Sequence, residues 1–358
     1  MFRNYNYDPK DPTTKHSFEI HEIDLAIINS IRRVILTDIP IPGIIGEEDP
    51  TVNIILNTGP LHNEIISHRI GLIPICLTEE DVENYEDNSI ELELNVKNTG
   101  VKKLNIDTSM ITGKKNGADL TKQELLKMFP SNFVTKSNIL ITRLRTDEHL
   151  HFKARVVKKS ARYNAAFSPV SLCNHSYIQD PTEAIKKESI LDKERAYYKN
   201  KYGDPNAIKF DIESINTYLE PKYLVNKAIE IIIEKLNKLR DNITSENSTD
   251  VKIEQFQTIE NTYEFHINDE DDTLGNIIQS LLHNKYIREK KTLINDINCT
   301  YIGYICPHPL KSLMILRITL ENQKNKQTFI QFLEANCRLI IDELLEIKSV
   351  WNKFINKK

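Results

Sequence analysis

The chain has 358 residues, of which 40% are hydrophobic and 27% charged, and its 51 acidic residues outnumber its 47 basic ones to give a net charge of −4. This composition excludes a largely disordered chain. It also argues against a protein whose main task is to grip phosphate backbones, because such proteins carry a basic excess. The length exceeds the roughly 250–300 residues at which one hydrophobic core stops growing, so two or three domains are expected.

Membrane insertion and secretion are not predicted. No apolar run approaches the roughly 20 residues that cross a bilayer, and the segment Met1–His16 lacks the apolar centre of a signal peptide. We therefore expect an intracellular protein without membrane contacts. The cysteines have no short paired spacing, which predicts neither a disulfide framework nor a four-thiolate zinc site. They are Cys76, Cys173, Cys299, Cys306 and Cys337.

A strand and a helix are predicted near the N-terminus. Phe18 and Ile20 alternate as in a half-buried strand. Asp24 can then cap the following helix by accepting hydrogen bonds from its free backbone N–H groups. Ile31 and Ile35 lie one turn apart and predict the buried face of this helix.

Residues 78–205 are predicted to form a separate, mainly β subdomain inserted into the first half of the chain. Its strands are expected at Ile90–Val96, which alternates in polarity, and at Asn138–Arg143 and Leu150–Val157. The lysine-rich stretch 181–205 shows no clear periodicity.

The first half is predicted to end with a strand at Ile208–Ile212 and a long helix. The helix begins at Pro221, a residue favoured in a first turn because no N–H is needed there. The polar segment 243–250 that follows is predicted to be a linker, and such a tether gives two modules an effective concentration on the order of millimolar. The apolar helix residues fall on one wide face: Leu224, Val225, Ala228, Ile229, Ile232, Leu236 and Leu239.

The second half repeats the beginning of the first. Phe265–Asn276 aligns with Phe18–Asn29, with Phe-x-Ile in both and Asp271 at the position of Asp24. A strand is predicted at Leu313–Leu320. The final helix must bury its apolar stripe on its own sheet or against another helix, and the matching ends of the two halves favour the second choice. The stripe is an unbroken heptad seam: Leu333, Cys337, Ile340, Leu344, Ile347, Trp351 and Phe354.

Together these elements predict an α+β protein built from two modules that pair within one chain. The predicted parts are a first module (1–77 and 206–242), an inserted β-rich domain (78–205), a linker (243–250) and a second module (251–358). Apolar helix residues are expected to pair the modules: Ile31, Ile35, Leu236, Leu281, Leu344 and Trp351.

No catalytic, metal or cofactor site is predicted. His62 and His68 flank Glu64, but they are six residues apart, about 120° around a helix, whereas the helix of zinc proteases places its histidines four apart. The chain has 10 glycines and no phosphate-binding glycine motif. The segment Pro307–Pro309 holds His308 between two prolines, either to present the imidazole or only to shape a turn.

Four sequence motifs resemble one family of polymerase subunits. Asp24–Leu36 resembles the first helix of the third subunit of eukaryotic RNA polymerase II and is similar to the archaeal D-type and bacterial alpha subunits. Leu61–Pro74 resembles the second helix of that family. Glu270–Asn276 and Gly303–Leu310 resemble the eleventh subunit and its archaeal L-type counterpart. The chain is therefore identified as a fusion of the two kinds of subunit, similar to the arrangement in nucleocytoplasmic large DNA viruses.

The resemblance implies a non-catalytic assembly platform of a DNA-directed RNA polymerase. It would dock the largest and second-largest subunits, with a small subunit alongside, and meet DNA only through the complex. For a viral protein it also implies a location in the virion and in the host cytoplasm or nucleus. Arg33 matches the arginine through which the bacterial alpha subunit binds the beta subunit, and its planar fork suits such a contact. The other residues implied at partner surfaces are Arg32, His68, Arg69, Asp271, Thr273, Asn276, Pro307, His308 and Pro309.

The sequence also departs from the family. Cellular third subunits often hold zinc with a cysteine cluster in the inserted domain, but residues 78–205 contain only Cys173, so no zinc is expected there. Asp272 stands where the eleventh subunit usually has histidine. The rival hypothesis is a free-standing transcription regulator that binds nucleic acid through the inserted domain, which a basic face on 78–205 would favour.

Overall fold

The computed structural model describes residues 1–8, 15–132, 134–245, 248–291, 298–321 and 325–357. Helices and sheets are both abundant, which confirms the α+β class. The helices are α1 (Leu25–Thr37), α2 (Asn63–Gly71), α3 (Glu79–Glu83), α4 (Lys122–Met128), α5 (Pro181–Ile185), α6 (Ile190–Glu194), α7 (Pro221–Thr244), α8 (Asp272–Leu282) and α9 (Lys326–Ile355).

The strands are all paired antiparallel. They are β1 (Phe2–Tyr7), β2 (Lys15–His21), β3 (Ile41–Gly43), β4 (Val52–Asn57), β5 (Ile90–Lys97), β6 (Leu104–Asp107), β7 (Thr112–Lys115), β8 (Ala118–Asp119), β9 (Leu140–Leu144), β10 (His149–Arg155), β11 (Val157–Lys159), β12 (Val170–Tyr177), β13 (Ala207–Ser214), β14 (Val251–Gln255), β15 (Thr262–Asn268), β16 (Cys299–Ile305) and β17 (Leu313–Leu320).

Two four-stranded sheets share one strand order. The first runs β1-β2-β13-β12 and the second β14-β15-β17-β16. In each sheet a helix follows the second strand along the chain, α1 after β2 and α8 after β15, and in each half a long helix comes last. The residue that ends each second strand is followed by one with left-handed backbone, Glu22 (φ 59°) and Asp269 (φ 60°).

Both predicted helix caps are confirmed. The Asp24 carboxylate accepts a hydrogen bond from the Ala26 N–H at 2.8 Å, and Asp271 accepts one from the Thr273 N–H at 2.9 Å. Each bond satisfies one of the backbone donors that the first turn of a helix leaves unpaired, a contribution of about 1 kcal/mol. The caps fix where α1 and α8 begin.

The remaining strands form a five-stranded sheet, β4-β10-β5-β7-β8, and two pairs, β11-β3 and β6-β9. The sheets do not divide where the inserted domain is predicted from the sequence. β4 lies before residue 78 yet pairs with β10, and β12 lies before residue 206 yet pairs with β13. The division of the chain at 77 and 206 stays a prediction.

Some element boundaries differ from those predicted. The expected strand Leu150–Val157 is interrupted at Val156. The Val156 N–H still donates to the Ile90 carbonyl at 3.1 Å, and the chain then continues into the β11-β3 pair. Helix α7 continues into the predicted linker because Ile243 is buried on the same face. The strand predicted at Asn138–Arg143 begins at Leu140 instead. Residues 246 and 247 of the predicted linker lie outside the described residues.

The long helices α7 and α9 pack against each other in a hydrophobic core that also includes α1 and α8. Leu236, Leu344 and Trp351 are fully buried, as the sequence predicts, and Leu281 is half-buried. Burying a side chain of this size contributes about 1.5–3 kcal/mol relative to exposure. The core therefore joins elements from both halves of the chain.

Candidate assembly interface

Helices α1 and α8 cross with reciprocal contacts at their capped ends. Ser280 Oγ donates to both carboxylate oxygens of Asp24, at 3.0 and 3.1 Å, and Asn284 Nδ2 donates at 2.7 Å. At the opposite end, Arg33 Nη2 lies 3.8 Å from Asp271 Oδ2. When Asp271 is aligned with Asp24, Ser280 falls at the position of Arg33. The crossing therefore uses equivalent positions twice, as a two-fold symmetric interface does.

A short polar bridge lies at the Arg33–Asp271 end of the crossing. Arg33 Nε donates to Thr273 Oγ1 at 2.9 Å, and Ser30 Oγ donates to the Thr273 carbonyl at 3.0 Å. Ser30 and Thr273 are buried, so water does not compete for the bond between them, whereas the Arg33 side chain is partly exposed. A bond of this kind contributes about 0.5–1.5 kcal/mol.

Gly275 allows α8 to lie close to its own sheet. A Cβ at this position would come within 2.5 Å of the Tyr304 ring and within 2.7 Å of Met314 Sδ. Such distances are far below van der Waals contact, so a larger residue would push the helix outward. The height of α8 over the sheet, and with it the crossing with α1, depends on this glycine.

A cluster of charges borders the crossing. Arg162, from the loop after β11, donates to both carboxylate oxygens of Asp38 at 2.6 and 3.0 Å and to Asp271 Oδ2 at 2.9 Å. Lys235 of α7 lies 3.0 Å from Glu270 and 3.7 Å from Asp38. Two-oxygen arginine pairs of this type fix orientation as well as adding energy. The cluster thus ties α1, α7 and the loop of the first half to the cap of α8.

The pKa values of two acids in this cluster are shifted in opposite directions. Burial raises the pKa of Glu270, and the charge of Lys235 offsets part of that effect. Burial would also raise the pKa of Asp271, but its hydrogen bonds with Thr273 and the charge of Arg162 outweigh burial and hold that pKa below the usual value. The charged form of Asp271 is therefore the one that the folded protein favours.

The α7–α9 contact is antiparallel and contains two polar pairs. Asn226 Nδ2 donates to Asn352 Oδ1 at 2.8 Å, and Lys348 Nζ donates to Glu230 Oε1 at 2.7 Å. Moving four residues forward along α7 thus moves four residues back along α9. Because the pairs sit at the margin of an apolar seam, they also fix the register of the two helices.

Strand β1 contacts the end of α9. The Phe2 ring centroid lies 5.0 Å from that of Trp351 and 6.0 Å from that of Phe354. Phe18 of β2 completes the cluster, 4.8 Å from Trp351. The sequence pattern does not predict β1, since its buried positions do not alternate and a left-handed residue, Asn4, interrupts it.

The predicted partner residues separate into two groups. Arg33, Asp271 and Thr273 come together at the crossing, so their side chains are already engaged within the chain. Asn276 lines a cleft of about 670 Å³ nearby that Asp24 also lines. Repeat alignment could have revealed Ser280, but it does not mark Asn284 or Arg162.

The other predicted partner residues lie elsewhere. Arg32 Nε donates to Asn29 one turn earlier, at 3.0 Å. Arg69 donates to the carbonyls of Ile141 and Leu140, both at 2.7 Å, and so holds α2 on β9. His68 lies 3.4 Å from Glu47, with both side chains largely exposed.

The loop that contains His308 is open to solvent. Pro307, His308 and Pro309 are all exposed, as is the following Leu310. Within the loop, His308 Nδ1 accepts from the Leu310 N–H at 3.1 Å.

An exposed aliphatic patch was not predicted. β4 and α2 contact each other and carry large apolar side chains that face solvent. Single exposed apolar residues are normal on a surface, whereas several on two contacting elements are typical of an interaction site. The members of this α2–β4 patch are Ile55, Leu56, Ile65 and Leu72.

Metal-binding clusters and membrane-spanning helices are not found in the part of the chain that the structure describes. No group of three or more His, Cys, Asp or Glu side chains there could hold a metal ion. None of the helices described has the length and apolar character that a membrane crossing requires.

The fold and the crossing define an α+β dimerisation domain, in which helices from two sheets of equal topology pair with each other. The chain belongs to the family described as the RNA polymerase Rpb3/Rpb11 dimerisation domain, whose model matches residues 17–236.

Three relatives illustrate the similarity. The chain is 25% identical over 279 residues to DNA-directed RNA polymerase II subunit RPB3 of Schizosaccharomyces pombe. The aligned region covers 68% of this chain and 89% of that protein. It is 25% identical over 202 residues to human DNA-directed RNA polymerases I and III subunit RPAC1, 50% of this chain and 56% of that protein. It is 28% identical over 190 residues to the rpac1 protein of Dictyostelium discoideum, 49% of this chain and 52% of that protein. The chain thus spans little more than half the length of the last two.

Proposed function

We propose that the chain is a non-catalytic assembly subunit of a multisubunit DNA-directed RNA polymerase, in which two related dimerisation modules pair within one polypeptide. The observation that carries this proposal is the reciprocal crossing, in which Ser280 contacts Asp24 and the equivalent Arg33 contacts Asp271. Shared strand order and the matching left-handed residues support a common origin of the modules. The relatives that match this chain are themselves named as RNA polymerase subunits.

The proposed parts keep the boundaries given by the sequence. They are a first module at 1–77 and 206–242, an inserted domain at 78–205, a linker at 243–250 and a second module at 251–358. Because β4 pairs with β10 and β12 pairs with β13, the inserted domain shares hydrogen bonds with the first module. It would therefore move with the module as one body.

Two exposed surfaces are proposed for docking. The α2–β4 patch, with His68 beside it, is proposed to receive one of the two large catalytic subunits, and the exposed Pro307–Leu310 loop the other. Both surfaces combine exposed apolar side chains with a polar neighbour, the composition expected of a subunit contact. A small polymerase subunit would bind alongside, and DNA would be met through the assembled enzyme.

A fused pair of modules fits a viral polymerase, which would place the chain in the virion and in the host cytoplasm or nucleus. The rival function, a free-standing transcription regulator, would act without large partners. The family match favours the polymerase subunit.

Affinity purification of the tagged chain from its native host tests the proposal. Two very large chains should co-purify. Replacing Ile65 and Leu72 by Asp should remove one of them, because a charge in a desolvated apolar contact is costly. Val101→Asp, at an exposed aliphatic residue outside the patch, is the matched control and should leave both. Recovery of nucleic acid without large chains would instead support the regulator.

A further inference from the structure

Two segments from different halves of the chain form one continuous surface. Residues 195–204 lie against residues 283–291, which include a π-helical turn, His283–Arg288. Arg288 forms an ion pair with Asp204, and Lys201 Nζ lies 3.6 Å from Glu289 Oε1. We call these two segments the tyrosine–lysine surface.

This surface is basic although the chain as a whole is acidic. Its two acids, Asp204 and Glu289, are both already in ion pairs. The two segments contain seven cations, of which two (Arg195 and Lys199) also line a neighbouring cleft with Asp180, Glu183 and Asp192: Arg195, Lys199, Lys201, Lys285, Arg288, Lys290 and Lys291. An excess of one sign at one place attracts a partner of the opposite sign.

Aromatic rings alternate with these cations. The Tyr177 and Tyr197 ring centroids are 5.0 Å apart, and Lys199 Nζ lies 5.0 Å from the Tyr197 centroid. Lys201 Nζ lies 4.8 Å from the Tyr202 centroid. Tyr198 and Tyr202 are each 39% exposed, which leaves room beside them for another planar group, although Arg288 also lies 5.4 Å from the Tyr202 centroid.

The positive charge is only partly neutralised. Burial lowers the pKa of Lys285, and the positive charge of neighbouring Lys291 lowers it further. A bound anion would relieve this repulsion, because it favours the protonated form of both lysines.

A cleft of about 670 Å³ adjoins the surface and is lined in part by Tyr202 and Arg288. A carboxamide both donates and accepts hydrogen bonds, as the edge of an unpaired base does. The cleft contains five of them: Asn200, Asn206, Asn276, Gln279 and Asn284.

We propose that the tyrosine–lysine surface binds single-stranded nucleic acid, with phosphates on its lysines and arginines and bases stacked on Tyr198 and Tyr202. Cations that follow a backbone, together with exposed rings, are the combination that single-strand binding uses. Paired bases in a duplex hide their faces, so a duplex could use only the charges. An acidic peptide would likewise leave the rings without a function. This inference goes beyond the assembly role and does not depend on it.

The charge contribution is tested with the purified full chain and a fluorescent oligothymidylate of about 16 nucleotides, a length that one single-strand-binding fold can cover. Anisotropy titrations at several salt concentrations give the slope of log affinity against log salt. The double variant Lys199→Ala, Lys201→Ala should reduce that slope by about 1.4, because each lost phosphate contact on a single strand contributes about 0.7. Lys102→Ala, Lys103→Ala removes two exposed lysines elsewhere and should not change it.

The stacking contribution is tested at Tyr198. Tyr198→Ala should weaken binding by about tenfold, the cost of one base–aromatic stack, whereas Tyr198→Phe keeps the ring and should stay within about twofold. Tyr301→Ala, at another exposed tyrosine, should have no effect. An oligouridylate of the same length shows whether RNA or DNA is preferred.

Three results would overturn the proposal. They are binding of a duplex as tight as that of the single strand, equal affinities for the Tyr198→Ala and unaltered proteins, and displacement of the oligonucleotide by polyglutamate at equal charge concentration. The last would point to an acidic protein partner instead.

Discussion

Arg33 illustrates how a residue that looks like a surface contact can be occupied inside the chain. Its Nε hydrogen bond to Thr273 and its proximity to Asp271 leave only part of the guanidinium for an external partner. The equivalent position in the second half, Ser280, makes the reciprocal contact with a much shorter side chain. The proposed role of Arg33 in binding a large subunit therefore has to coexist with a role in pairing the two halves.

Arg33→Ala should destabilise the isolated chain by about 1 kcal/mol, because a charge-assisted hydrogen bond is lost from a partly exposed site. Urea unfolding measures this as a lower midpoint with an unchanged slope. Arg32→Ala is the matched control, since the hydrogen bond of Arg32 stays within α1, to Asn29, and does not reach the second half of the chain, so its midpoint should move less. An Arg33→Ala protein as stable as the unaltered one would assign the arginine wholly to an external partner.

Asp271 should make the interface sensitive to acid. Its folded-state pKa lies below the usual value, so its contribution to stability is present above about pH 4 and is lost as the pH falls through the folded pKa. Asp271→Asn keeps a capping side chain but removes the charge. It should lower the free energy of unfolding by about 1 kcal/mol at neutral pH.

The difference in the free energy of unfolding between Asp271→Asn and the unaltered protein should shrink towards zero as the pH falls below the folded-state pKa of Asp271, where the aspartate is protonated in both states. The contribution of Glu270 to stability changes with pH in the opposite direction because its pKa is raised. The variant must therefore be compared with the unaltered chain at each pH. Asp119→Asn, at an exposed carboxylate, serves as the control. A pH-independent loss in Asp271→Asn would show that geometry rather than charge matters at the cap.

At the residue scale, sequence predicts what is local. Asp24 and Asp271 were predicted as caps because a cap bonds to a backbone only two residues away. The bond from Asn284 to Asp24 spans 260 residues, and the Arg162 cluster joins four separate segments. Nothing in local spacing encodes such contacts, so they emerge only when the chain is folded.

Among the elements, α9 was predicted well and β1 was not. The heptad seam of α9 is a periodic signal repeated over seven positions, and six of these residues are fully buried. β1 owes its place to ring contacts between Phe2 and the end of α9, a tertiary effect that overrides its weak strand pattern. The interruption between β10 and β11 at Val156 is also a tertiary effect, because the chain passes from one sheet to another there.

Deleting residues 2–7 should expose Trp351, the one tryptophan of the chain. Trp351 is fully buried and touches the Phe2 ring, so loss of β1 leaves one side of the indole open to water. A red-shifted emission and faster acrylamide quenching would report this. Tyr7→Ala changes the solvent-facing end of the same strand and should leave both signals unaltered. An unshifted emission after deletion would mean that other side chains close over Trp351.

At the scale of the whole molecule, the two halves share apolar helices that neither could cover alone. α1, α7, α8 and α9 contribute to one continuous core, and the polar pairs at Asp24 and Asp271 lie at its edge. A linker of a few residues holds the halves at high effective concentration, but the interface itself does not need the covalent connection. Isolated modules would therefore expose a large apolar surface.

A protease site inserted after Ser245 of the full chain separates these contributions. After cutting, the halves should still co-elute in size-exclusion chromatography at micromolar concentration, because the buried core and reciprocal caps remain. Leu344→Asp places a carboxylate in that core and should release two separate or aggregated fragments after the same cut. Leu345→Asp changes the adjacent, exposed residue of α9 and should leave the cut pair together. Two well-folded monomers from the unaltered cut protein, indifferent to each other on mixing, would contradict both the pairing of the modules and the assembly role built on it.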